Sequence, residues 1–252
     1  MKIVVDGQEI TVEYGESLLE ATRRAGISIP TLCYHEAFKG EGRCRLCMVE
    51  VDQGGRKSLV AACTYPIREE IEVTTSTPVI DKIRRNIIML LYKRASGSLL
   101  LQKLYHEYGC PETSLRENPE EHCILCNICV KACEEVGPSA ISLIMRGTDK
   151  RVATPYDQAA DVCIGCGACA RVCPTGAIES VEENDLRSIW HKDFELQACD
   201  HCGKYYATKA EIGYLAENHP EFDQPQKLCE ACRKRGLASK FMEYNTNYPG
   251  RA

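Results

Sequence analysis

The chain has 252 residues, and its formal net charge of −5 argues against nucleic acid as a main partner. Its N-terminus, MKIVVDGQEI, has no apolar signal segment, and its longest apolar run in a helical context, residues 87–91, is too short to span a membrane. A soluble, cytoplasmic protein is therefore expected, in which the 17 cysteines stay reduced and bind metal instead of forming disulfides.

Spacing divides sixteen of the 17 cysteines into four sets of four and leaves only Cys110 over. Four thiolates are what an iron–sulfur cluster or a structural zinc ion requires. In chain order the sets are Cys33, Cys44, Cys47 and Cys63; Cys123, Cys126, Cys129 and Cys133; Cys163, Cys166, Cys169 and Cys173; and Cys199, Cys202, Cys229 and Cys232. The pattern predicts an α+β chain of several small metal-binding domains.

Residues 1–78 are predicted to form the first of these domains. Lys2–Val5 and residues 9–12 predict a hairpin that turns at Asp6 and Gly7, and residues 17–25 predict a short helix. Two strands followed by a helix indicate a β-grasp domain. The cysteines that follow are spaced C-x10-C-x2-C-x15-C, and Gly54 and Gly55 are expected at the tip of a hairpin in the long gap.

Residues around these cysteines carry a resemblance to known proteins. They are Pro30, Cys33, Tyr34, His35, Gly42, Cys44, Arg45, Cys47, Glu50, Ala62, Cys63 and Pro66. The region resembles the N-terminal domain of the large peripheral iron–sulfur subunit of respiratory complex I, and also the N-termini of iron-only hydrogenases and diaphorase subunits of NAD-linked hydrogenases. This resemblance implies a [2Fe–2S] cluster on Cys33, Cys44, Cys47 and Cys63, with a zinc site as the alternative.

Residues 79–117 read as a helical linker. Apolar residues recur at helical spacing at Ile83, Ile87, Leu90 and Leu91, and this face is expected to be core or subunit contact. Residues 96–98, Ser-Gly-Ser, are expected to break the segment into two helices. The family that the chain resembles binds a further cluster here through H-x3-C-x2-C-x5-C. Only His106 and Cys110 match that pattern, so this cluster is expected to be missing.

Residues 118–182 contain the motif C-x2-C-x2-C-x3-C twice, 40 residues apart. The repeat resembles bacterial two-cluster ferredoxins, including the sequence PTGAI after Cys173, although Glu134 stands where the first copy would have proline. In such ferredoxins the fourth cysteine, expected at the start of the following helix, binds the other cluster. Gly165, Gly167 and Gly176 would let backbone N–H groups approach the sulfurs.

The predicted ligand sets are therefore crossed between the two motifs. One [4Fe–4S] cluster is assigned to Cys123, Cys126, Cys129 and Cys173, and the other to Cys163, Cys166, Cys169 and Cys133. Two zinc sites are the alternative, although zinc does not need this triple spacing.

Residues 183–252 are predicted to form a small zinc-ribbon-like domain. Cys199 and Cys202, with Cys229 and Cys232, are two C-x2-C pairs that suit tetrahedral zinc, and a further iron–sulfur cluster is the alternative. His201 is expected to face solvent, residues 210–218 to form a helix, and the basic run at residues 233–235 to be a solvated face.

The sequence has no dinucleotide-binding fingerprint, no P-loop and no nucleophile–base set, since its glycine pairs in GEGRC and GCGAC lie inside cysteine loops. The expected cofactors are one [2Fe–2S] cluster, two [4Fe–4S] clusters and one Zn²⁺, with no flavin or NAD bound by this chain. Such a chain passes single electrons and leaves catalysis to other subunits.

The resemblance implies which subunits those are. Proteins with this layout sit beside a flavoprotein that binds NAD(P)H, a hydrogenase or other catalytic subunit, and ferredoxin as donor or acceptor. The expected function is therefore an electron-transfer subunit of an NAD(P)-linked oxidoreductase, with electron-bifurcating hydrogenases and transhydrogenases as the leading class. The alternatives are a stand-alone multi-cluster ferredoxin, the relay subunit of an NAD-linked formate dehydrogenase, and a regulatory or structural zinc protein.

Overall fold

The computed structural model describes residues 1–218 and 227–247, so that part of the region predicted as residues 183–252 lies outside the described residues. The chain forms two compact units. The first contains Met1–Glu135, Leu143–Val152 and Ala168–Ile178. The second contains Val136–Ser142, Ala153–Gly167 and, so far as it is described, Glu179–Ala252. Among the described residues, no helix has both the length and the apolar character needed to cross a bilayer.

A five-stranded mixed sheet forms the N-terminal part of the first unit. Its strands are β1 (Lys2–Val5), β2 (Gln8–Thr11), β3 (Met48–Gln53), β4 (Arg56–Ala61) and β5 (Glu72–Thr74), in the spatial order β2-β1-β5-β3-β4. Strand β1 pairs antiparallel with β2 and parallel with β5. The predicted hairpin turns at Asp6–Gly7 and Gly54–Gly55 are both confirmed.

Helix α1 (Leu18–Arg24) covers one face of this sheet, as the strand–strand–helix pattern predicted. Ser17 caps the helix, because its Oγ accepts a hydrogen bond from the Glu20 N–H at 3.3 Å. The core between helix and sheet has side chains that are at most 2% exposed: Ile3, Val5, Leu18, Leu19, Val49, Val51 and Val73. Each such side chain stabilises the unit by about 1.5–3 kcal/mol relative to an exposed position.

The linker forms helices α2 (Pro78–Arg94) and α3 (Leu99–Glu107), so the predicted break at residues 96–98 is confirmed. The break occurs because the backbone N–H groups of Ser96 and Gly97 leave the helix and donate to the carbonyls of Asn118 and Glu121, both at 3.2 Å. A short 3₁₀ turn, Ala62–Thr64, carries the last cysteine of the first set.

The predicted apolar face of α2 is largely confirmed: Ile83, Ile87 and Leu91 are half-buried and pack against the two cores, whereas Leu90 is 53% exposed. The most buried positions of the same face are Ile80, Arg84 and Ile88. One of them, Arg84, is charged. Arg84 donates from Nε to the Leu46 carbonyl at 3.2 Å and from Nη2 to the Met48 carbonyl at 2.9 Å, and burial lowers its pKa. Helix α2 thus holds the backbone on both sides of Cys47.

Two helices carry the repeated cysteine motifs, α4 (Ile128–Val136) and α5 (Ala168–Arg171). The expectation that the fourth cysteine begins a helix is wrong. Each helix begins one residue before the third cysteine, so that Cys133 lies inside α4 and Cys173 lies beyond the end of α5. Between them lie β6 (Ser142–Ile144) and β7 (Arg151–Ala153), which pair as a small two-stranded sheet, and two 3₁₀ turns, Gly147–Asp149 and Pro155–Asp157.

A four-stranded antiparallel sheet in the second unit was not predicted. Its strands are β8 (Val181–Glu183), β9 (Leu186–Ile189), β10 (Lys192–Ala198) and β11 (Tyr205–Thr208), in the order β11-β10-β9-β8. The predicted helix at residues 210–218 is confirmed as α6 (Lys209–Asn218), and α7 (Glu230–Asn247) begins directly after Cys229. Whether this region is a zinc ribbon stays a prediction.

Candidate metal centres

All 17 cysteines lie in the part of the chain that the structure describes, and no disulfide joins any of them. Ten of the sixteen cysteines in the four predicted sets are buried, five are half-buried and only Cys202 is exposed. Free cysteine is commonly buried in proteins, so burial alone does not indicate a metal. The grouping of the sulfurs, set by set, is the observation that does.

The first set arranges its four sulfurs as two pairs. The Cys44 N–H donates to the Cys33 sulfur at 3.3 Å, and the Cys47 and Cys63 sulfurs are 3.4 Å apart. Four thiolates hold a [2Fe–2S] cluster, two on each iron, so this donor set fits the group that the sequence predicted.

Each pair also holds one readily ionised thiol. A hydrogen bond between the side-chain sulfurs of Cys33 and Cys44 lowers the pKa of Cys44 to about 6, against the opposing effect of burial, and the sulfur of Cys63 lowers the pKa of Cys47 to about 7 in the same way. The same hydrogen bonds, together with burial, raise the pKa of Cys33 and Cys63. A metal must displace the remaining protons, because only thiolates are ligands.

A glycine brings two parts of this site together. A Cβ atom added at Gly40 would lie 2.4 Å from the Cys63 carbonyl oxygen and 2.8 Å from the Cys63 Cβ. Contacts that short do not occur, so only glycine allows the loop after Cys33 to pack directly on the backbone of Cys63. Gly40 could not be predicted as part of the site, because nothing in the sequence around it marks this close approach.

Cys173 interacts electrostatically with three cysteines of the first ferredoxin motif, Cys123, Cys126 and Cys129. Burial is the main cause that raises the pKa of Cys126 to about 11; negative charge on Cys173 and Cys123 acts in the same direction, and the Ile128 N–H opposes them. Burial also raises the pKa of Cys129, with added contributions from Cys126, Cys123 and Cys173. Sulfurs that are buried and repel one another as thiolates are a donor set for a multiply charged metal cluster. The set fits a [4Fe–4S] cluster.

Backbone N–H groups point at these sulfurs. The Leu125 N–H donates to the Cys123 sulfur at 3.4 Å, and the Ala177 N–H donates to the Cys173 sulfur at 3.3 Å. Leu125 and Asn127 adopt positive φ angles of 56° and 72°, which turn the loop around the cysteines. Hydrogen bonds to cluster sulfurs are one of the means by which a protein sets a reduction potential.

The other predicted set is divided between the two compact units. Cys133 and Cys169 belong to the first unit, and Cys163 and Cys166 belong to the second. Its assignment to one [4Fe–4S] cluster stays a prediction from the sequence.

A polar contact joins the loops of the first two sets. The Glu41 carboxylate, between Cys33 and Cys44 in sequence, accepts from the Asn127 side chain at 3.2 Å and pairs with the Lys131 ammonium at 3.2 Å. Lys131 also donates to the Lys39 carbonyl at 2.6 Å. Burial raises the pKa of Glu41, but hydrogen bonds from Arg43 and Lys131 more than offset it, so the pKa lies below its usual value. Glu41 is thus ionised at neutral pH.

One apolar core underlies that contact. It contains residues of both loops and of the two linker helices: Leu32, Cys33, Cys44, Leu46, Ile88, Ala95, Leu101, Ile124, Cys126 and Ile128. Two cysteines of the first set and one of the second therefore share a continuous, water-poor environment.

The C-terminal set gathers into a compact tetrad. The Cys199, Cys202, Cys229 and Cys232 sulfurs all lie within 4.8 Å of one another. With Zn–S bonds of about 2.3 Å, a tetrahedron places neighbouring sulfurs roughly 3.8 Å apart, and the Cys202 and Cys229 sulfurs are separated by 3.7 Å. A single tetrahedral metal ion fits this spacing better than a cubane, which holds its thiolates farther apart at its outer corners.

Local turns build the tetrad. Cys199 follows β10, and the turn after it closes through the Gly203 N–H donating to the Cys199 carbonyl at 2.8 Å. Burial opposes ionisation of Cys199, but N–H groups of Cys229, Cys202 and His201 donate to its sulfur and lower its pKa to about 6. The side chain of His201 faces solvent, as predicted.

The residues expected to be remnants of a missing cluster lie at the end of α3. Cys110 is half-buried and donates from its sulfur to the Arg85 carbonyl at 3.3 Å, and burial raises its pKa. His106 packs edge-on against the ring of Tyr105.

Comparisons with known proteins agree with this geometry. Residues 1–78 match the family described as a 2Fe-2S iron-sulfur cluster binding domain. Residues 118–181 match a 4Fe-4S dicluster domain, and residues 162–208 match a second model of the same description. The chain is therefore an iron–sulfur protein with one [2Fe–2S] domain and a two-cluster [4Fe–4S] region.

Its curated relatives are parts of NADH-, NADPH- and NADP-linked proteins, as the resemblance in the cysteine motifs predicted. One of the NADH-quinone oxidoreductase subunits of Rhizobium meliloti is 30% identical over 230 residues, 81% of this chain and 27% of the relative. NADPH-Fe(3+) oxidoreductase subunit alpha of Geobacter sulfurreducens is 30% identical, over 86% of this chain and 28% of the relative. NADP-reducing hydrogenase subunit HndD of Solidesulfovibrio fructosivorans is also 30% identical, over 71% of this chain and 36% of the relative.

The chain thus spans about a third, or less, of the length of these relatives. Among solved structures, it resembles a chain of the NAD⁺-reducing [NiFe]-hydrogenase in the H₂-reduced state. The TM-score is 0.59 and the identity 27%, and the match covers 70% of this chain and 85% of that one.

The Glu41–Lys131 pair generates a prediction. Glu41→Ala and Lys131→Ala should each lower the free energy of unfolding by about 1–2 kcal/mol, because each removes a charge-assisted contact between two partly buried groups. The double variant should lose less unfolding free energy than the two single variants lose together, as expected of directly coupled residues. Anaerobic urea unfolding of the cluster-loaded protein measures all three. Glu36→Ala, at an exposed position of the same loop, is the control, and strict additivity would contradict the contact.

Proposed function

We propose that this chain is the electron-transfer iron–sulfur subunit of an NAD(P)-linked multisubunit oxidoreductase. It would relay single electrons between a flavoprotein that binds NAD(P)H and a hydrogenase or ferredoxin site. The observation that carries the proposal is the shared environment of the first two cysteine sets, joined by one apolar core and by the Glu41–Lys131 pair. A free carrier needs no such connection, whereas a relay needs its centres held at a fixed separation.

The proposed role of each group of residues follows from its position. The bound clusters would supply one-electron oxidation and reduction. Leu32, Leu46 and Ile128 would exclude water from the space around the ligand loops, and Arg84 would fix the backbone on both sides of Cys47. Rigid, dry surroundings keep the reorganisation that accompanies electron transfer small. No group of this chain is proposed to act on hydride or hydrogen directly.

The partner subunits are proposed from the relatives. Those relatives include an NADP-reducing hydrogenase subunit and an NADPH-Fe(3+) oxidoreductase subunit. The flavoprotein and the hydrogenase or ferredoxin partner of this chain are inferred by analogy with these relatives. In its most specific form, the proposal is that the complex carries out electron bifurcation.

Isolation of the tagged full chain from its native cells under anaerobic conditions tests this proposal. We expect a complex that contains flavin and oxidises NADH or NADPH with an artificial acceptor. A monodisperse monomer that carries all its iron would contradict the subunit proposal and support the stand-alone ferredoxin. A complex with formate-dependent activity would support the formate dehydrogenase alternative.

The crossed ligand sets generate a second prediction. Cys173→Ala should abolish the same [4Fe–4S] EPR signal that Cys126→Ala abolishes, because we assign both cysteines to one cluster, an assignment supported by the electrostatic interaction between them. Cys166→Ala should abolish the other signal, and Cys110→Ala, outside both sets, should abolish neither. Loss of the same signal in Cys173→Ala and Cys166→Ala would show that each motif binds its own cluster.

For the C-terminal tetrad we propose zinc, supported by the 3.7 Å separation of the Cys202 and Cys229 sulfurs and by the closed set of four thiolates. Metal analysis of the whole protein should therefore give about ten iron, ten sulfide and one zinc per chain.

Two variants make that analysis specific. Cys229→Ser should lose the zinc and keep the iron, while Cys110→Ser should keep both. About fourteen iron per chain, falling by about four in Cys229→Ser, would identify the tetrad as a further cluster instead.

A further inference from the structure

The unpredicted sheet of the second unit packs on a loop that carries two proposed cluster ligands. This loop, residues 160–167, contains Cys163 and Cys166. Thr208, at the end of β11, donates from Oγ1 to the Ile164 carbonyl at 2.5 Å. The ring of Phe194, on β10, lies so close to Gly165 that a Cβ there would be 2.5 Å from the ring. Gly165 also has a φ of +65°, so the loop requires glycine for two separate reasons.

A buried guanidinium lies against the same loop. Arg187, on β9, is only 8% exposed and donates from Nη1 to the Gly165 carbonyl at 2.7 Å. It also lies beside Gly167, where an added Cβ would be 3.7 Å from Nη1. Its Nε and Nη2 donate to Glu182, a carboxylate whose side chain is 54% exposed. Because Glu182 is largely hydrated, it offsets the buried charge incompletely.

A second cation lies at the other end of the loop. The Lys192 ammonium, on β10, is 3.3–3.4 Å from the carbonyl oxygens of Ala160, Asp161 and Cys163. It also lies 5.1 Å from the centre of the Phe194 ring. Two cations from neighbouring strands thus hold the Cys163–Cys166 loop, one at each end.

We propose that Arg187 and Lys192 raise the reduction potential of the cluster bound through Cys163 and Cys166. They would make this cluster easier to reduce than it would be without their charges. The proposal rests on the function proposed above. One-electron reduction adds one negative charge at this loop, with the electron supplied by the NAD(P)H-oxidising partner. Nearby positive charge that is poorly hydrated stabilises that added charge and favours the reduced form.

The alternative is that both residues only hold the loop in shape. The two explanations differ in what neutral substitutions do. If the residues only hold the loop in shape, their neutral replacement leaves unchanged the potential of any cluster that is retained. If they act through charge, the potential falls even when the cluster is fully retained, because net charge near a cluster is one of the terms that set its potential.

EPR-monitored redox titration of the full chain tests the proposal. Arg187→Gln and Lys192→Gln should each lower the midpoint of this cluster, so that its reduced-to-oxidised ratio at a fixed potential falls about tenfold, or about 59 mV for one electron. The other [4Fe–4S] midpoint, measured in the same samples, should not move. Cys166→Ser identifies which signal belongs to this loop.

The matched control is Lys209→Gln. Lys209 pairs with Glu195 of the same sheet, and both side chains are more than half exposed, so its removal changes the net charge equally without touching the loop. The midpoint in this variant should stay within error of the parent protein. Arg187→Lys, which keeps the charge, should recover most of the shift.

Unchanged midpoints in Arg187→Gln and Lys192→Gln with full iron content would overturn the proposal. If Arg187→Gln loses the cluster, the proposal is tested by Lys192→Gln and Arg187→Lys. A lowered midpoint in Lys192→Gln, with a midpoint like that of the parent protein in Arg187→Lys, supports the proposal. Midpoints like that of the parent protein in both variants overturn it. Absence of two [4Fe–4S] signals from the parent protein would instead contradict the proposed function.

Discussion

Most of the sixteen cysteine sulfurs in the four predicted sets are shielded from water, and where several of them lie together their proximity is unfavourable until a metal neutralises them. The thiols of Cys126 and Cys129 show the conflict: burial and the charge of neighbouring sulfurs both oppose ionisation, although ionisation is what ligation requires. Metal binding removes that opposition. Much of the free energy that keeps these loops folded must therefore come from the metal–thiolate bonds.

The protein scaffold is arranged around that requirement. The apolar core between the N-terminal sheet and α1 includes Cys47 and Cys63, and the core around the linker helices includes Cys33, Cys44 and Cys126, so both cores extend to proposed ligands. Glycines and residues with positive φ bring backbone N–H groups to the sulfurs, and Arg84 and Lys131 satisfy carbonyls near the ligands.

What the sequence could reveal was local. Cysteine spacing within a loop, the turns at Asp6–Gly7 and Gly54–Gly55, and the break between α2 and α3 depend on neighbouring residues, and all are visible in a single chain. The contact between Glu41 and Asn127 joins residues 86 positions apart, and no local pattern signals it.

Other features could not be predicted because the charged residues involved are normally exposed. Arg84 lies in the buried face of α2, a position that apolar periodicity cannot indicate for a charged residue, while the predicted Leu90 is exposed. The β8–β11 sheet consists of short strands rich in charged residues, and Arg187 is buried there only because the Gly165 carbonyl and Glu182 accept its hydrogen bonds. A charged residue in a polar strand normally indicates a solvent-facing position.

The order in which the chain visits its two compact units has a practical consequence for anyone who wishes to divide the protein. The chain passes from one unit to the other between residues 135 and 136, 142 and 143, 152 and 153, 167 and 168, and 178 and 179. No single cut yields either unit as one continuous fragment free of the other. Truncations designed from sequence motifs alone would therefore leave at least one unit incomplete, and a single proteolytic nick anywhere between the first and last of these crossings would divide at least one unit between two fragments.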